Sequence, residues 1–241
     1  MAFISQTEPK DIHEALKHES WINAMQEELE QIEKNQVWTL ISRPVDKNVV
    51  GTRWVFKNKL NIDEKIVRNK ARLVAKGYIQ EFSIDFEESY TLVARLEVVC
   101  LLLAYATSRK MKLYQMDVKS AFLNGYVNEE LYMDQLSDFE NTSYPNHVFK
   151  LKKALYALKQ APRAWYDRLS SFLLNKRYLR GKVDQTFFIK KQGKHILVVQ
   201  IYVDDIIFGS TNKILCTKFS DIMKNEFEMS LMGELQFFLR L

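Results

Sequence analysis

The chain has 241 residues, and 47% of them are apolar, with 15 Phe, 11 Tyr and 4 Trp among them. This amount of buryable surface excludes a disordered chain and suits one large domain or two closely joined subdomains. The net charge of +5 is unevenly distributed, because basic segments at 53–76 and 149–182 flank an acidic segment at 117–141. Ordinary solvated faces would explain this pattern, and so would a polyanion held against metal-binding carboxylates.

Cysteine content and hydropathy exclude further classes of protein. Cys100 and Cys216 lie near no histidine and near no other cysteine in the sequence, so neither a disulfide scaffold nor a zinc site is expected. No segment reaches the run of about 18 apolar residues that a membrane span needs. We therefore expect a soluble intracellular protein.

The first half of the chain contains two patterns of helix and one of paired strands. Apolar residues at spacings of three and four, with a proline that suits a first helical position, predict a helix over 9–34. Two strands, 49–60 and 66–76, are predicted to form a hairpin around the polar turn 61–65, with basic residues on both arms. The largely apolar segment 95–108 is predicted to be a core helix.

The second half continues with alternating strands and helices. It has no internal repeat and no Gly-, Ser- or Pro-rich linker, and its mixture of hairpins and helices predicts an α+β fold. The predicted elements are a strand over 112–118, a helical turn over 120–125, a helix over 162–176, a hairpin of 186–191 and 195–203 around Gly193, a strand that runs on through 204–208, and a helix over 212–227.

Three carboxylates stand at the ends of apolar strands. Asp204 and Asp205 follow the β-branched run 195–203, and Asp117 ends the apolar strand 112–118. A hairpin turn would explain an Asp-Asp pair, because Asp favours turns, but it would not explain the other carboxylate. If the two strands lie side by side, the three carboxylates meet, and such hard oxygen ligands suit Mg²⁺. Two such ions about 3.5–4 Å apart can promote an in-line displacement at phosphorus.

Several motifs resemble those of one known family. The sequence YVDD lies at 202–205, QMDVKSAFLNG at 115–125 and ALKQAPRAWY at 157–166, and together they resemble the signature set of copia-type reverse transcriptases. The resemblance extends in order over essentially the whole chain, through WINAMQEEL at 21–29, NQVWTL at 35–40, RNKARLVAKGY at 68–78, VARLE at 93–97 and FEMSLMGELQFFL at 227–239.

This resemblance implies the fold of a right-hand polymerase. The fingers and palm would interleave in sequence, with an antiparallel palm sheet, flanking helices and a thumb that is largely absent. The whole of 1–241 would be one reverse transcriptase domain, mainly fingers over about 1–110 and mainly palm over 111–241. No RNase H, integrase or protease domain is expected.

The resemblance also assigns site residues. Asp117, Asp204 and Asp205 would be the catalytic, metal-binding aspartates for two Mg²⁺ ions, with Mn²⁺ as a substitute. Side-chain alternation along a strand suggests that Asp117 and Asp204 bridge the ions while Asp205 has a weaker part. The nucleotide-binding residues would be Phe122 as the steric gate against a 2′-hydroxyl, Gln160 beside the nucleotide and template, Arg72 and Lys57 on the triphosphate, and Tyr202 and Val203 beside the primer end. The plain alternatives are a core Phe for Phe122 and a surface Gln for Gln160.

The activity expected from the resemblance is RNA-directed DNA synthesis. The partners would be an RNA or DNA template with its primer and deoxynucleoside triphosphates, with no membrane. The location would be cytoplasmic, in virus-like particles as in the family, with the nucleus as the alternative. The sequence leaves the oligomeric state open.

Departures from the family pattern leave another function open. The family usually has Gly at Ser83, Asp138, Ala157 and Arg240, Pro at Leu92 and Leu136, and Arg at Cys100. Glycine and proline set backbone geometry, and Ala157 lies just before the Leu158–Gln160 loop. The alternative is a catalytically silent, truncated remnant that binds nucleic acid or serves as an interaction protein.

Overall fold

The structure is a computed structural model that describes residues 4–61, 63–83, 85–87, 96–136 and 139–235. Within these residues the chain is a mixed α/β protein with three sheets, in keeping with the predicted α+β class. The family departures at Leu92, Asp138 and Arg240 lie outside the described residues.

The chain forms two compact units that alternate along the sequence. The first unit consists of Met1–Ser89 and Phe122–Ala164, and the second unit consists of Tyr90–Ala121 and Trp165–Leu241. The expected change from mainly fingers to mainly palm near residue 110 stays a prediction.

The first unit begins with two helices where one was predicted. Helix α1 spans Ile12–Ala15 and helix α2 spans Glu19–Lys34, so the prediction of one continuous helix from Pro9 was wrong. Asp11 is the cause of the later start, because its carboxylate accepts a hydrogen bond from the Glu14 backbone N–H and caps the first turn. The apolar residues at helical spacing lie on the buried face of α2.

The predicted hairpin is present, but its first arm is divided at Gly51. Strand β1 (Trp38–Ser42) precedes the two-residue strand β2 (Val49–Val50), and β3 (Thr52–Leu60) pairs antiparallel with β4 (Ile66–Ala75). Phe56 and Ala71 of this hairpin pack with Trp21 of α2, whose ring meets that of Phe56 edge to face. A four-stranded sheet in the order β1-β7-β6-β2 completes the unit, with β6 at Tyr132–Met133 and β7 at His147–Leu151.

The second unit is built on a six-stranded sheet whose neighbouring strands all run antiparallel. Strand β5 occupies the predicted residues, Lys112–Val118. The sheet order is β12-β5-β11-β10-β9-β8, where β8 is Leu179–Arg180, β9 is Phe187–Gln192, β10 is His195–Tyr202, β11 is Asp205–Ser210 and β12 is Met229–Glu234.

Helices cover both faces of this sheet. Residues of α3 (Leu96–Ser108) pack in one apolar cluster with Ile207, and Phe219 of α5 (Lys213–Glu226) meets the ring of the next residue along β11, Phe208. Because successive side chains of a strand point to opposite faces, α3 and α5 lie on opposite sides. Helix α4 (Ala161–Asn175) begins in the first unit and continues in the second.

Candidate active site

Two of the three predicted aspartates face each other across neighbouring strands of the second unit. Asp117, near the end of β5, is the register partner of Asp205, the first residue of β11. Residues directly opposite in an antiparallel pair share one face of the sheet, with Cβ atoms about 4.5–5.5 Å apart. Both are half-buried. The register therefore places Asp117 opposite Asp205, although the neighbour of β5 is β11 and not β10, the strand that the sequence predicted over 195–203.

The third aspartate lies in the turn between β10 and β11, so the prediction of a strand that runs on through 204–208 was wrong at Asp204. Tyr202 pairs with Asp205 at the end of the hairpin, which leaves Val203 and Asp204 as a two-residue turn. The backbone N–H of Val118 donates to the Asp204 carbonyl oxygen at 2.9 Å, so the turn is attached to the residue after Asp117. The backbones of all three aspartates thus meet at one end of the sheet.

Burial changes the pKa of Asp205. Desolvation raises the pKa of Asp205 above its usual value, and the negative charge of Asp204 acts in the same direction. The Gln115 side chain opposes these effects, because its amide donates to the Asp205 carboxylate at 2.8 Å. Crowded carboxylates that lose hydration are costly to ionise without a compensating positive charge.

The donor chemistry of this group fits a hard divalent cation. Carboxylate oxygens from Asp117, Asp204 and Asp205 are the ligands that Mg²⁺ prefers, and a cation would offset the charge that burial disfavours at Asp205. Over the residues that the structure describes, no three His, Cys, Asp or Glu side chains are arranged as a metal site. The predicted three-aspartate metal site therefore stays a prediction.

In the first unit, two predicted nucleotide-binding residues contact the same aromatic ring. The Arg72 guanidinium lies over Tyr156, and Phe122 meets that ring edge to face with centroids 5.3 Å apart. Phe122 is half-buried against the apolar cluster of its unit, so it combines a core contact with partial exposure. Sequence reasoning missed Tyr156. The only sequence feature that pointed to Tyr156 was its position one residue before the motif ALKQAPRAWY.

Gln160 and Lys57 have protein partners in the first unit. Gln160 is 3% exposed, so the alternative of a surface glutamine was wrong. Its side chain accepts from the Gln80 amide at 3.2 Å and donates to the Asp85 carbonyl at 3.1 Å. The Lys57 ammonium pairs with Glu8 at 2.8 Å and remains largely exposed. Their nucleotide-binding roles stay predictions.

Backbone conformation adds information on two departures from the family pattern. Ala157 has a φ of +66° and Ser83 a φ of +67°, the left-handed region that favours glycine. The space beside Ala157 is also restricted, since a Cβ added to Gly77 would stand 1.9 Å from the Ala157 carbonyl oxygen. The loop that leads to Gln160 is therefore held in a conformation that its own residue disfavours.

Comparison with known proteins extends over almost the whole chain. A family model described as reverse transcriptase (RNA-dependent DNA polymerase) matches residues 35–241. The chain is 37% identical to the retrovirus-related Pol polyprotein from transposon RE1 of Arabidopsis thaliana, over 99% of this chain and 16% of that protein. It is also 37% identical to the Pol polyprotein from transposon TNT 1-94 of Nicotiana tabacum, over 95% of this chain and 18% of that protein.

Similarity also reaches a fungal relative. The chain is 24% identical to the transposon Ty1-BL Gag-Pol polyprotein of Saccharomyces cerevisiae, over 93% of this chain and 12% of that protein. The chain spans less than a fifth of the length of these relatives. None of the helices in the described part of the chain has both the length and the apolar character that crossing a membrane requires.

Proposed function

Because the chain belongs to the reverse transcriptase (RNA-dependent DNA polymerase) family of copia-type retrotransposon Pol polyproteins, we propose that it carries a nucleotidyl-transfer site for DNA synthesis. The reaction joins the primer 3′-hydroxyl to the α-phosphate of a deoxynucleoside triphosphate, and pyrophosphate leaves. The observation that carries this proposal is the register pair of Asp117 and Asp205, with the Asp204 turn bonded beside it.

We assign the cation-binding role to these three aspartates. Asp117, Asp204 and Asp205 would hold two Mg²⁺ ions, or Mn²⁺ in their place. Divalent ions bound there would supply charge neutralisation at the phosphate and a lower pKa for the primer hydroxyl. The raised pKa of Asp205 supports this role, because a carboxylate that is costly to ionise alone gains most from a bound cation.

Residues of the first unit are assigned to the nucleotide. Arg72 would contact the triphosphate, since a guanidinium presents paired donors to phosphate oxygens. The contact of its guanidinium with the face of the Tyr156 ring limits the orientations of the side chain. Phe122 would exclude a 2′-hydroxyl, and Lys57 would release Glu8 to approach the phosphates. Gln160 would act through the loop that it holds from its buried position.

Two residues of the second unit border the aspartates. Tyr202 and Val203 directly precede Asp204, and both are half-buried. We assign them to the primer end and the nucleotide. In the same proposal the first unit belongs to the fingers and the six-stranded sheet to the palm, the partners are a primed RNA or DNA template, and the setting is a cytoplasmic particle.

A second function is favoured by the strained backbone at Ala157. If this conformation displaces the loop that carries Gln160, the chain would bind nucleic acid without extending a primer. Nucleic-acid binding without synthesis is the property that separates this silent remnant from the polymerase.

Primer extension tests both functions. The purified chain would be incubated with a primed RNA template, deoxynucleotides and Mg²⁺ or Mn²⁺. We expect extension by the wild type and its loss in Asp117→Asn, Asp204→Asn and Asp205→Asn. Asp221→Asn, which changes an exposed carboxylate on α5 of the same unit, should extend like the wild type. A folded wild type that binds the template and never extends it would favour the silent remnant.

A further inference from the structure

A buried tryptophan holds the turn that carries Asp204. The indole N–H of Trp165, on α4, donates to the Val203 carbonyl oxygen at 2.7 Å. Trp165 is 1% exposed and Val203 is half-buried, so this hydrogen bond is partly shielded from water. The sequence analysis includes Trp165 in the predicted helix over 162–176 and in the motif ALKQAPRAWY, and none of the roles assigned above includes it.

The turn needs such support because its backbone is strained. Val203 has a φ of +54°, and among the described residues it is the only β-branched one in the left-handed region. A β-branched side chain is strongly disfavoured there, and such conformations persist only where the surroundings enforce them. The Trp165 bond to the Val203 carbonyl and the Val118 bond to the Asp204 carbonyl hold the two consecutive peptide units on either side of the Asp204 Cα atom.

The bond to Val203 acts directly on the orientation of Asp204. The Val203 carbonyl belongs to the peptide plane that links Val203 to Asp204. Holding its oxygen restricts rotation of that plane. Because the Val118 bond holds the next peptide plane, the two bonds together restrict the direction in which the Asp204 Cα–Cβ bond leaves the backbone. Rotation of this peptide would move the Asp204 carboxylate relative to the Asp117 and Asp205 pair.

Trp165 is itself held in place. Its ring meets Phe227 edge to face, with centroids 5.2 Å apart, and Phe172 of the same helix packs on Phe227 as well. Arg168, also on α4, forms an ion pair with Glu226, the residue before Phe227. Helix α4, which carries the indole, is therefore held by its contacts with Phe227 and Glu226.

We propose that Trp165 is a positioning residue for nucleotidyl transfer, which orients Asp204 by holding the Val203–Asp204 peptide. This inference rests on the proposed role of the three aspartates. It predicts a specific effect of the indole N–H, separate from the packing of the ring.

The test uses Trp165→Phe, which keeps an aromatic ring and removes the donor. The matched control is Trp21→Phe in the first unit, because Trp21 is 0% exposed and its indole donates to the Thr7 carbonyl at 3.2 Å. We expect Trp165→Phe to lower kcat for primer extension on the order of tenfold to a hundredfold, as a misplaced catalytic group does, with little change in the nucleotide KM. Trp21→Phe should leave both constants near their wild-type values.

A second background separates positioning from general stability. Glycine adopts a positive φ without strain, so Val203→Gly should reduce the need for the indole. We expect Trp165→Phe to cost less in the Val203→Gly background than in the wild type, a coupling that a double-mutant cycle measures. Equal losses in both backgrounds, or equal losses for the two Trp→Phe variants, would show that Trp165 acts only through stability.

Amide hydrogen exchange tests the inference without activity. We expect Trp165→Phe to speed exchange at the amides of Asp204 and Asp205, and Trp21→Phe to leave them unchanged. Unchanged exchange in Trp165→Phe would overturn the inference. If the wild type neither extends a primer nor binds Mn²⁺, the proposed function fails, while the exchange result still decides whether Trp165 holds the turn.

Discussion

The guanidinium carbon of Arg72 lies 4.6 Å from the centre of the Tyr156 ring. The same ring contacts Phe122, so a buried tyrosine joins the residue assigned to the triphosphate and the residue assigned to the sugar. Arg72 comes from β4 and Phe122 from the turn after β5, and Tyr156 precedes α4. Tyr156 therefore connects three segments that are far apart in the sequence.

Removal of the Tyr156 ring should affect nucleotide use. A cation over an aromatic face contributes about 0.5–2 kcal/mol, so Tyr156→Leu should raise the nucleotide KM roughly twofold to thirtyfold through the freed Arg72. It should also weaken selection of the sugar, because Phe122 loses its neighbour. Steady-state primer extension with deoxynucleotides and ribonucleotides measures both effects.

Two variants control for packing. Tyr156→Phe keeps the ring and should retain the wild-type KM. Tyr132→Leu removes another buried tyrosine of the first unit, which has Lys150 over its ring, and it should reduce stability without raising KM. A Tyr156→Leu enzyme with an unchanged KM would mean that Arg72 does not bind the nucleotide through this arrangement.

Phe122 can be tested as the steric gate. Phe122→Val should raise the ratio of kcat/KM for ribonucleotides to that for deoxynucleotides by at least about tenfold, because a smaller side chain leaves room for a 2′-hydroxyl. Phe149→Val is the matched control, since Phe149 is also half-buried against the same apolar cluster. Both should lose stability by up to about 3 kcal/mol. Equal sugar selectivity in the two variants would favour the core role of Phe122.

Local patterns in the sequence predicted the elements that depend on nearby residues. Strand β5 and the strands on both sides of Gly193 follow from apolar runs and a turn glycine. Strand β1 was not predicted, although Trp38, Thr39 and Ile41 are of types enriched in strands. Its partner β7 lies more than a hundred residues later in the chain, beyond the reach of a local pattern. The prediction of the N-terminal helix was wrong at its start, where Asp11 caps the first turn, and at residues 16–18, which separate α1 from α2.

Local patterns in the sequence also could not predict which residues pair in the candidate site. The sequence indicated that Asp117 and the Asp204–Asp205 pair would meet, but strand register decides which of the two lies opposite Asp117. The structure pairs Asp205 with it. Tyr156 and Trp165 could not be identified from pattern, because each acts through a contact with a distant segment. A tryptophan on an apolar helix face is most simply a core residue until its N–H partner is known.

The strained backbone predicts stabilising substitutions. Ala157→Gly should raise the free energy of unfolding by about 0.5–1 kcal/mol, because relief of the positive φ exceeds the entropic cost of glycine. Ser83→Gly should act in the same direction. Ala104→Gly, on the exposed face of α3, should instead lower stability by about 1 kcal/mol. Urea unfolding measures all three. If Ala157→Gly also increases primer extension, the backbone strain at Ala157 limits catalysis. If the variant gains stability but does not extend a primer, the result supports the silent remnant.

Glu28 should make stability depend on pH. Its carboxyl group lies buried where α2 packs on β4, and burial raises its pKa to about 7, against the opposing effects of the Leu73 backbone N–H, Arg72 and Lys70. The folded state therefore keeps a proton that the unfolded state loses above its ordinary pKa of 4.5. The free energy of unfolding should fall by roughly 3 kcal/mol between about pH 4.5 and pH 7, and then change little.

Glu28→Gln removes this titration and keeps a side chain of the same shape. We expect it to unfold like the wild type at pH 5 and to be more stable by roughly 1–3 kcal/mol at pH 8, where the wild type holds a buried charge. Glu27→Gln, which changes the exposed neighbour that pairs with Arg68, should retain the wild-type pH dependence and differ by less than about 1 kcal/mol. Urea unfolding from pH 5 to pH 8 provides the comparison. Parallel pH profiles for the wild type and Glu28→Gln would show that Glu28 is already ionised in the folded protein at pH 5, with Arg72 and Lys70 stabilising its charge.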